Sequence, residues 1–350
     1  MYGLNTGQEE VYLSSLEPLL TTLLDGYNVS VILYGASGTG KTHTMMGPGP
    51  GLGPVLEEES FGLIHRSVRS LFGALSQLQM SSVQCGLEVE YVEIFNDEIR
   101  DLLSDSLASV YLDQAGMTGV SSVTCGDTAE VLSCLELGHQ LHTQCRELSR
   151  TEPAAHTVFS LKLRQQSLTN TGLTVLKHSR LDFVDLAPSD QVTLPGGGTN
   201  LGLLSLGNVI SALGDPRRNV SVVPHHDSLL TRVLAPALGG SSVSLLLATV
   251  SGLSSDREET LGTLMVASRA ANIMNNPVPN IVSCEPPMSA GYPAQYPPQP
   301  QFDPYLSPVQ APLDPSPLKT PLSCISPLSY NSRPAPLQLY LPAGLSAPRP

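Results

Sequence analysis

The amino-acid sequence predicts an α/β domain with a mostly parallel central sheet, followed by a disordered proline-rich tail. Short β-rich runs alternate with helical patterns as far as residue 276, which is typical of sheets whose strands are joined by helices. A glycine-rich loop directly follows one of these β-rich runs. Beyond residue 276 the composition changes, because 20 of the 30 prolines lie in the last 74 residues. We therefore expect a folded domain over 1–276 and a tail over 277–350.

The elements of the domain follow from its hydrophobic periodicity. Strands are predicted where apolar residues alternate or form short runs, and helices where they recur every three or four residues. The predicted strands cover 29–34, 87–95, 156–163, 180–186 and 244–250. The predicted helices cover 11–24, 64–78, 128–141, 203–213 and 228–238. No heptad pattern persists, so the sequence predicts no coiled coil for self-dimerisation.

The charge of the chain limits its partners. The formal net charge is −13, and acids and bases cancel within the tail, so the excess negative charge belongs to the domain. An acidic domain is a poor electrostatic partner for nucleic acid, for an anionic membrane or for an acidic filament. We therefore expect no nucleic-acid partner.

Signals for a cellular compartment are few. The first ten residues lack the basic and apolar segments of a secretory leader, and no apolar run approaches the length of a membrane span. The six cysteines are irregularly spaced without a C-x-x-C pair, so neither a zinc site nor a disulfide framework is indicated. We expect a cytoplasmic protein with reduced thiols and no membrane insertion.

The glycine-rich loop fits the phosphate-binding pattern G-x-x-x-x-G-K-[ST] at every fixed position. Its glycines let backbone N–H groups point at phosphate oxygens, Lys41 supplies a charge for the β- and γ-phosphates, and the Thr42 hydroxyl is placed to ligate Mg²⁺. A chance glycine-rich turn is the alternative, but this loop lies between a predicted strand and a helix start, as the motif requires. The predicted nucleotide-binding residues are Gly35, Ala36, Ser37, Gly38, Thr39, Gly40, Lys41 and Thr42.

Several further stretches occur in the order found in one family. They are Y-G and T-M-M-G around the loop at 34–47, Y-V-E-I-F-N-D-E-I-R-D-L-L at 91–103, D-L-A at 185–187, L-G-N-V-I-S-A-L at 206–213 and A-S-R-A at 267–270. In this series, over about residues 8–280, the chain resembles the kinesin motor domain. The resemblance implies a P-loop NTPase fold of the kinesin-motor type with helices on both sheet faces, and a neck-linker remnant after residue 276. It also implies ATP and Mg²⁺ as ligands, movement along microtubules and association with the cytoskeleton.

The resemblance assigns roles to individual residues. Asp185 would reach Mg²⁺ through water, and Asp185 and Ser189 are the catalytic candidates in the segment called switch II. His43, directly after the P-loop, would lie near the adenine. The residues that would face the microtubule (tubulin) are Arg232, His225 and His226.

Switch I departs from the family pattern N-x-x-S-S-R-S-H, which aligns with residues 149–156. Glu152, Pro153 and Ala155 stand where the family's serines place hydroxyls near Mg²⁺ and the γ-phosphate, and Ala154 replaces the arginine. Proline contributes neither a hydroxyl nor an N–H. The alternative is that a neighbour such as Ser149 or Arg150 supplies the lost groups.

Switch II departs as well, because the family's D-L-A-G-S-E reads D-L-A-P-S-D at 185–190. Pro188 lacks the N–H with which the family's glycine senses the γ-phosphate, and its ring fixes φ. Asp190 is shorter than the family's glutamate, whose arginine partner in switch I is also missing. The sequence therefore predicts that Mg-nucleotide binding is retained and that hydrolysis is impaired.

The filament-facing side and the sheet edge are also altered. Leu201, His226 and Leu229 stand where the family has basic residues, and each cation lost near an anionic surface removes about 1 kcal/mol of attraction. The histidines at 225 and 226 would restore some charge below pH 6.5. The family's first strand, with its adenine clamp, has no counterpart, so we expect either a longer form of the chain or a reduced sheet with an open edge.

Two classes of function remain open. One is a working ATPase motor on microtubules. The other is a catalytically inactive pseudo-motor that acts as an interaction scaffold, with tail-binding proteins recruited by Ser-Pro and P-x-x-P segments. A solvated tail without a dedicated partner is the simpler interpretation of those segments.

Overall fold

A computed structural model describes residues 2–3, 6–48, 58–104, 110–113, 116–148, 155–193, 198–215, 222–284, 335–336, 338–340 and 342–343. The predicted strands all occur, with ends shifted by up to six residues. The strands are β1 (Tyr2–Gly3), β2 (Val29–Gly35), β3 (Gln84–Phe95), β4 (Glu98–Asp101), β5 (Tyr111–Leu112), β6 (Met117–Thr118), β7 (Val123–Cys125), β8 (His156–Leu168), β9 (Thr174–Asp185), β10 (Val243–Thr249), β11 (Met274–Asn275), β12 (Asn280–Cys284), β13 (Ala335–Pro336), β14 (Gln338–Tyr340) and β15 (Pro342–Ala343).

The helices also lie near their predicted positions, although the helix predicted over 228–238 already ends at residue 233. They are α1 (Gln8–Val11), which continues through a π-helical turn (Tyr12–Leu16) into α2 (Glu17–Leu24), then α3 (Lys41–Met46), α4 (Leu63–Met80), α5 (Thr128–Leu148), α6 (Leu201–Gly214), α7 (Leu229–Val233) and α8 (Arg257–Ala270). Short 3-10 turns cover Glu58–Ser60, Ser189–Gln191, His225–Asp227 and Ser254–Asp256. Within the described ranges, no helix has the length and hydropathy needed to cross a membrane.

The main sheet is mixed, so the prediction of a mostly parallel sheet is wrong. Its order is β14–β10–β2–β9–β8–β3–β4, with β12 beside β9 and β7 beside β3. The first four strands run parallel, whereas β8, β3 and β4 each run antiparallel to their neighbours. Two hairpins reverse the direction of the chain between neighbouring strands in this part of the sheet. Asn96 and Asp97, with φ of 47° and 60°, form the two-residue turn between β3 and β4, and a turn over 169–173 joins β8 to β9.

Both faces of the sheet are covered by helices, as the resemblance implies. Strand β2 is buried along its whole length. Val31 and Leu33 belong to a core that includes residues of α2, α4 and α5, and Ile32 and Tyr34 belong to a second core with residues of α6, α7 and α8. A strand buried on both faces requires apolar residues at every position, which explains the continuous run at 29–34.

The edge of the sheet at β10 is covered by a segment of the tail. Gln338–Tyr340 pairs in parallel with residues 245–247, and Ala335–Pro336 pairs with β11. From the sequence we expect a tail without structure and, unless a longer form of the chain exists, an open edge here. These described residues differ from both expectations. The physical reason is that an open edge presents unpaired backbone groups that any extended segment can satisfy. The boundary between domain and tail at residue 276 stays a prediction.

Candidate nucleotide-binding site

The P-loop lies between the end of β2 and the start of α3. Gly38 and Gly40 have φ of 70° and 93°, which L side chains rarely adopt, and a Cβ at either position would meet no atom within 4 Å. Glycine is therefore required there by the backbone and not by packing. At Gly35 the reason is packing, because a Cβ would lie 2.3 Å from the carbonyl oxygen of Thr249 on β10.

Lys41 places a buried positive charge beneath this loop. Its Nζ donates hydrogen bonds to the carbonyl oxygens of Gly35 (3.0 Å) and Ala36 (2.9 Å). Burial lowers the pKa of Lys41, and the negative charges of Asp185 and Asp190 oppose that shift. A buried ammonium group is stabilised by a nearby anion, so the loop suits a phosphate.

A hydroxyl and a carboxylate meet at the start of α3. Thr42 Oγ1 donates to Asp185 Oδ2 over 2.7 Å, although the two residues are 143 positions apart. Hydroxyl and carboxylate oxygens are ligands that Mg²⁺ accepts, directly or through water. These two residues therefore fit a magnesium ion beside the P-loop, as the sequence predicts.

Switch II leaves β9 as an extended segment and then forms a 3-10 turn. Pro188, with φ of −56° and ψ of 134°, precedes the turn and accepts a hydrogen bond from the Gln191 N–H at its carbonyl oxygen. Asp190 Oδ1 accepts hydrogen bonds from the Ser37 N–H (2.8 Å) and the Ser37 hydroxyl (3.1 Å). The Ser189 hydroxyl lies 3.5 Å from Thr263 Oγ1 on α8. The structure therefore brings the Asp190 carboxylate to the P-loop, whereas the Ser189 side chain lies between α8 and Tyr34, the residue before Gly35.

The end of switch I is held by a buried histidine. His156 Nδ1 accepts a hydrogen bond from the Ala187 N–H (3.1 Å), and burial lowers the pKa of His156 to about 4. The imidazole is therefore neutral at physiological pH. The switch I positions Glu152, Pro153 and Ala154 lie outside the described residues, as do Ser149 and Arg150.

Two polar contacts near the loop were not predicted. Gln8 Nε2 lies 3.0 Å from His43 Nδ1 and donates to the His43 carbonyl oxygen (2.7 Å), which fixes the residue expected near the adenine. The Thr39 hydroxyl lies 2.7 Å from that of Thr249. Neither pairing has a signal in the sequence, because 35 and 210 residues separate the partners.

The residues expected to face a filament lie in and after the turn over His225–Asp227. His226 is exposed, and Arg232 donates a hydrogen bond to the Leu112 carbonyl oxygen (3.0 Å). Burial, aided by the neighbouring His226, lowers the pKa of His225. His225 therefore becomes protonated only at a pH below 6.5, which is the ordinary pKa of histidine and the value used in the prediction from the sequence.

The strand, P-loop and helix, with the paired Thr42 and Asp185, define the P-loop NTPase fold. A family model of the kinesin motor domain matches residues 1–273. The chain belongs to the kinesin motor family, and the resemblance inferred from the sequence is confirmed. Kinesin motor domains in general bind ATP with Mg²⁺ and move along microtubules.

Individual relatives agree with this assignment. The chain is 39% identical to mouse kinesin-like protein KIF7, over 79% of this chain and 22% of that protein. It is 35% identical to mouse kinesin-like protein KIF27, over 80% of this chain and 22% of the relative. Human chromosome-associated kinesin KIF4B is also 35% identical, over 79% of this chain and 23% of its own length. The chain thus spans about a fifth of the length of the curated relatives it matches.

Proposed function

We propose that this chain is a nucleotide-binding pseudo-motor of the kinesin family, which binds Mg-nucleotide but hydrolyses ATP slowly. The observation that carries the proposal is the contrast between the two halves of the site. The P-loop keeps its glycine conformations, its buried Lys41 and the Thr42–Asp185 pair. Switch II has Pro188 where the family has a γ-phosphate donor, and its carboxylate turns to Ser37.

Binding rests mainly on groups of the P-loop and of α3, together with Asp185 at the start of switch II. Gly38, Gly40 and Lys41 present N–H groups and an ammonium group to the phosphates, and the N-terminus of α3 adds its dipole. Thr42 would hold Mg²⁺ directly and Asp185 through water. When bound, the ion would neutralise charge between the β- and γ-phosphates.

Hydrolysis requires donors that meet charge as it develops on the γ-phosphate. Proline at 188 has no N–H to donate, and loss of one preorganised donor lowers a rate by roughly 10²–10³-fold. Further losses in switch I act on the same closure step, so they need not multiply. The rate of ATP hydrolysis should rise in a quadruple variant that restores the family residues, with Pro153→Ser, Ala154→Arg, Pro188→Gly and Asp190→Glu.

Filament binding is proposed to be weak for electrostatic reasons. The domain is acidic, Leu201 and Leu229 are apolar where the family is basic, and the Arg232 guanidinium already donates to a backbone carbonyl. A working motor is the second candidate, and the family membership favours it. In a pelleting assay the chain should stay largely in the supernatant at microtubule concentrations that sediment a basic kinesin motor domain.

Binding is tested by titrating the chain with a fluorescent ADP analogue in the presence of Mg²⁺. Saturable binding by the natural chain, and its loss in Lys41→Ala, supports the proposal. The matched control is Lys177→Ala, which removes a lysine from β9 outside the P-loop, with folding checked by circular dichroism. Absence of saturable binding, or equal binding by Lys41→Ala, would refute it.

A further inference from the structure

A switch II carboxylate contacts the phosphate loop directly. One oxygen of Asp190 accepts from both the backbone N–H and the hydroxyl of Ser37, at 2.8 Å and 3.1 Å. In a P-loop, inward-pointing N–H groups are the donors that phosphate oxygens use. A carboxylate oxygen that accepts two hydrogen bonds from this loop therefore makes the contacts that a phosphate oxygen makes.

The local backbone explains why this carboxylate reaches the loop. Pro188 directs the chain into the 3-10 turn Ser189–Gln191, which begins after a ψ of 134°. The Gln191 N–H closes the turn on the Pro188 carbonyl oxygen over 3.0 Å. In this turn Ser189 faces α8 and the next side chain faces the P-loop.

The position of Lys41 indicates which phosphate is affected. Its Nζ donates a hydrogen bond to the carbonyl oxygen of Ala36 over 2.9 Å, directly before Ser37, so the ammonium group lies beside the loop residue that Asp190 contacts. In P-loops this lysine meets the β- and γ-phosphates. Asp190 therefore adds a negative charge to the part of the loop that lies beside the lysine for those phosphates.

We infer that Asp190 competes with the terminal phosphate of ATP for the P-loop and makes this site selective for ADP. The inference rests on the proposed binding of nucleotide. ADP can bind while the Asp190–Ser37 hydrogen bonds persist. ATP must displace them and then tolerate two negative groups close together, which weakens its binding relative to ADP.

The test compares affinities for Mg-ADP and for the non-hydrolysable β,γ-imido analogue of ATP, using displacement of fluorescent ADP. In the natural chain the ATP analogue should bind more weakly than ADP. Asp190→Asn should tighten the analogue relative to ADP by roughly fivefold to tenfold, since it weakens a charge-assisted hydrogen bond that solvent partly screens. Ser37→Ala, which keeps the N–H, should shift the ratio in the same direction by less.

Glu258→Gln is the matched control, because it removes one charge from an exposed position on α8, which packs beside the same turn. It should leave the ratio of affinities unchanged. If both nucleotides bind and Asp190→Asn leaves the ratio as it is, the inference is overturned while nucleotide binding stands. If neither nucleotide binds to any variant, the proposed function itself fails. Ser37→Ala provides the test should Asp190→Asn not fold.

Discussion

The Thr42 hydroxyl donates a hydrogen bond to Asp185 Oδ2 over 2.7 Å, which links the start of α3 to the end of β9. The contact joins the P-loop to the first residue of switch II. It also places two oxygen ligands where Mg²⁺ would lie beside the phosphates. The part of the site that we propose to bind nucleotide is therefore assembled, although switch II has a proline at position 188.

Replacing Thr42 by Val should weaken Mg-nucleotide binding by roughly tenfold, because a Mg²⁺ ligand is lost while the shape of the side chain is kept. The same change should make binding nearly insensitive to EDTA. Thr44→Val is the control, since Thr44 lies in the same helix and its hydroxyl donates to the Gly40 carbonyl oxygen. Titration with and without EDTA measures both effects. Equal sensitivity to EDTA in Thr42→Val and the natural chain would remove Thr42 from the metal site.

Replacing either of two helical glycines by alanine should change the free energy of unfolding, and the two changes should have opposite signs. Gly138 of α5 packs so closely on β3 that a Cβ would lie 2.1 Å from Tyr91 Cδ1, so Gly138→Ala should lower the free energy of unfolding by about 1–3 kcal/mol. A Cβ at Gly73 of α4 would meet nothing within 4 Å. Gly73→Ala should therefore raise that free energy by up to about 1 kcal/mol through helix propensity. Denaturant unfolding measures both, and equal signs would contradict the described packing of α5.

The stability of the domain should fall as the pH falls from 6.5 towards 4, partly because of His156. Burial lowers its pKa to about 4 in the folded state from 6.5, so the unfolded chain binds the proton more tightly in this window. Between pH 7.5 and pH 5.5 this side chain should remove about 1 kcal/mol from the free energy of unfolding. His156→Asn should lack that part of the pH dependence. Parallel pH curves for the two proteins would show that His156 is not held neutral.

Removing residues 285–350 should change the melting temperature of the domain by no more than about 2 °C. The described tail residues pair with the domain through strands of only two or three residues, and pairings this short add little stability. Hydrogen exchange should nevertheless accelerate in the part of β10 that pairs with Gln338–Tyr340. Unchanged exchange would show that this segment does not cover the edge, and a large fall in melting temperature would show that the tail is part of the core.

Local chemistry made part of this architecture predictable. The run at 29–34 and the G-K-T pattern determine a buried strand, a phosphate loop and a helix start from neighbouring residues alone. The mixed sheet has no comparable local signal, because its strand directions depend on two hairpin turns and the Asn96-Asp97 turn lies inside the longer motif at 91–103. The contact of Asp190 with Ser37 could not be predicted, because 153 residues separate them and the sequence identifies only the missing arginine partner.

The most direct test of the account is steady-state ATP turnover by the full chain, with and without microtubules, beside an ordinary kinesin motor domain under the same conditions. Pro188 provides no N–H to the γ-phosphate, and one such donor is worth roughly 10²–10³-fold in rate. We expect basal and microtubule-stimulated rates at least about 100-fold below those of the ordinary motor, in a chain that still binds Mg-ADP. Stimulated turnover close to that of the ordinary motor would contradict the pseudo-motor proposal and make this chain a working motor.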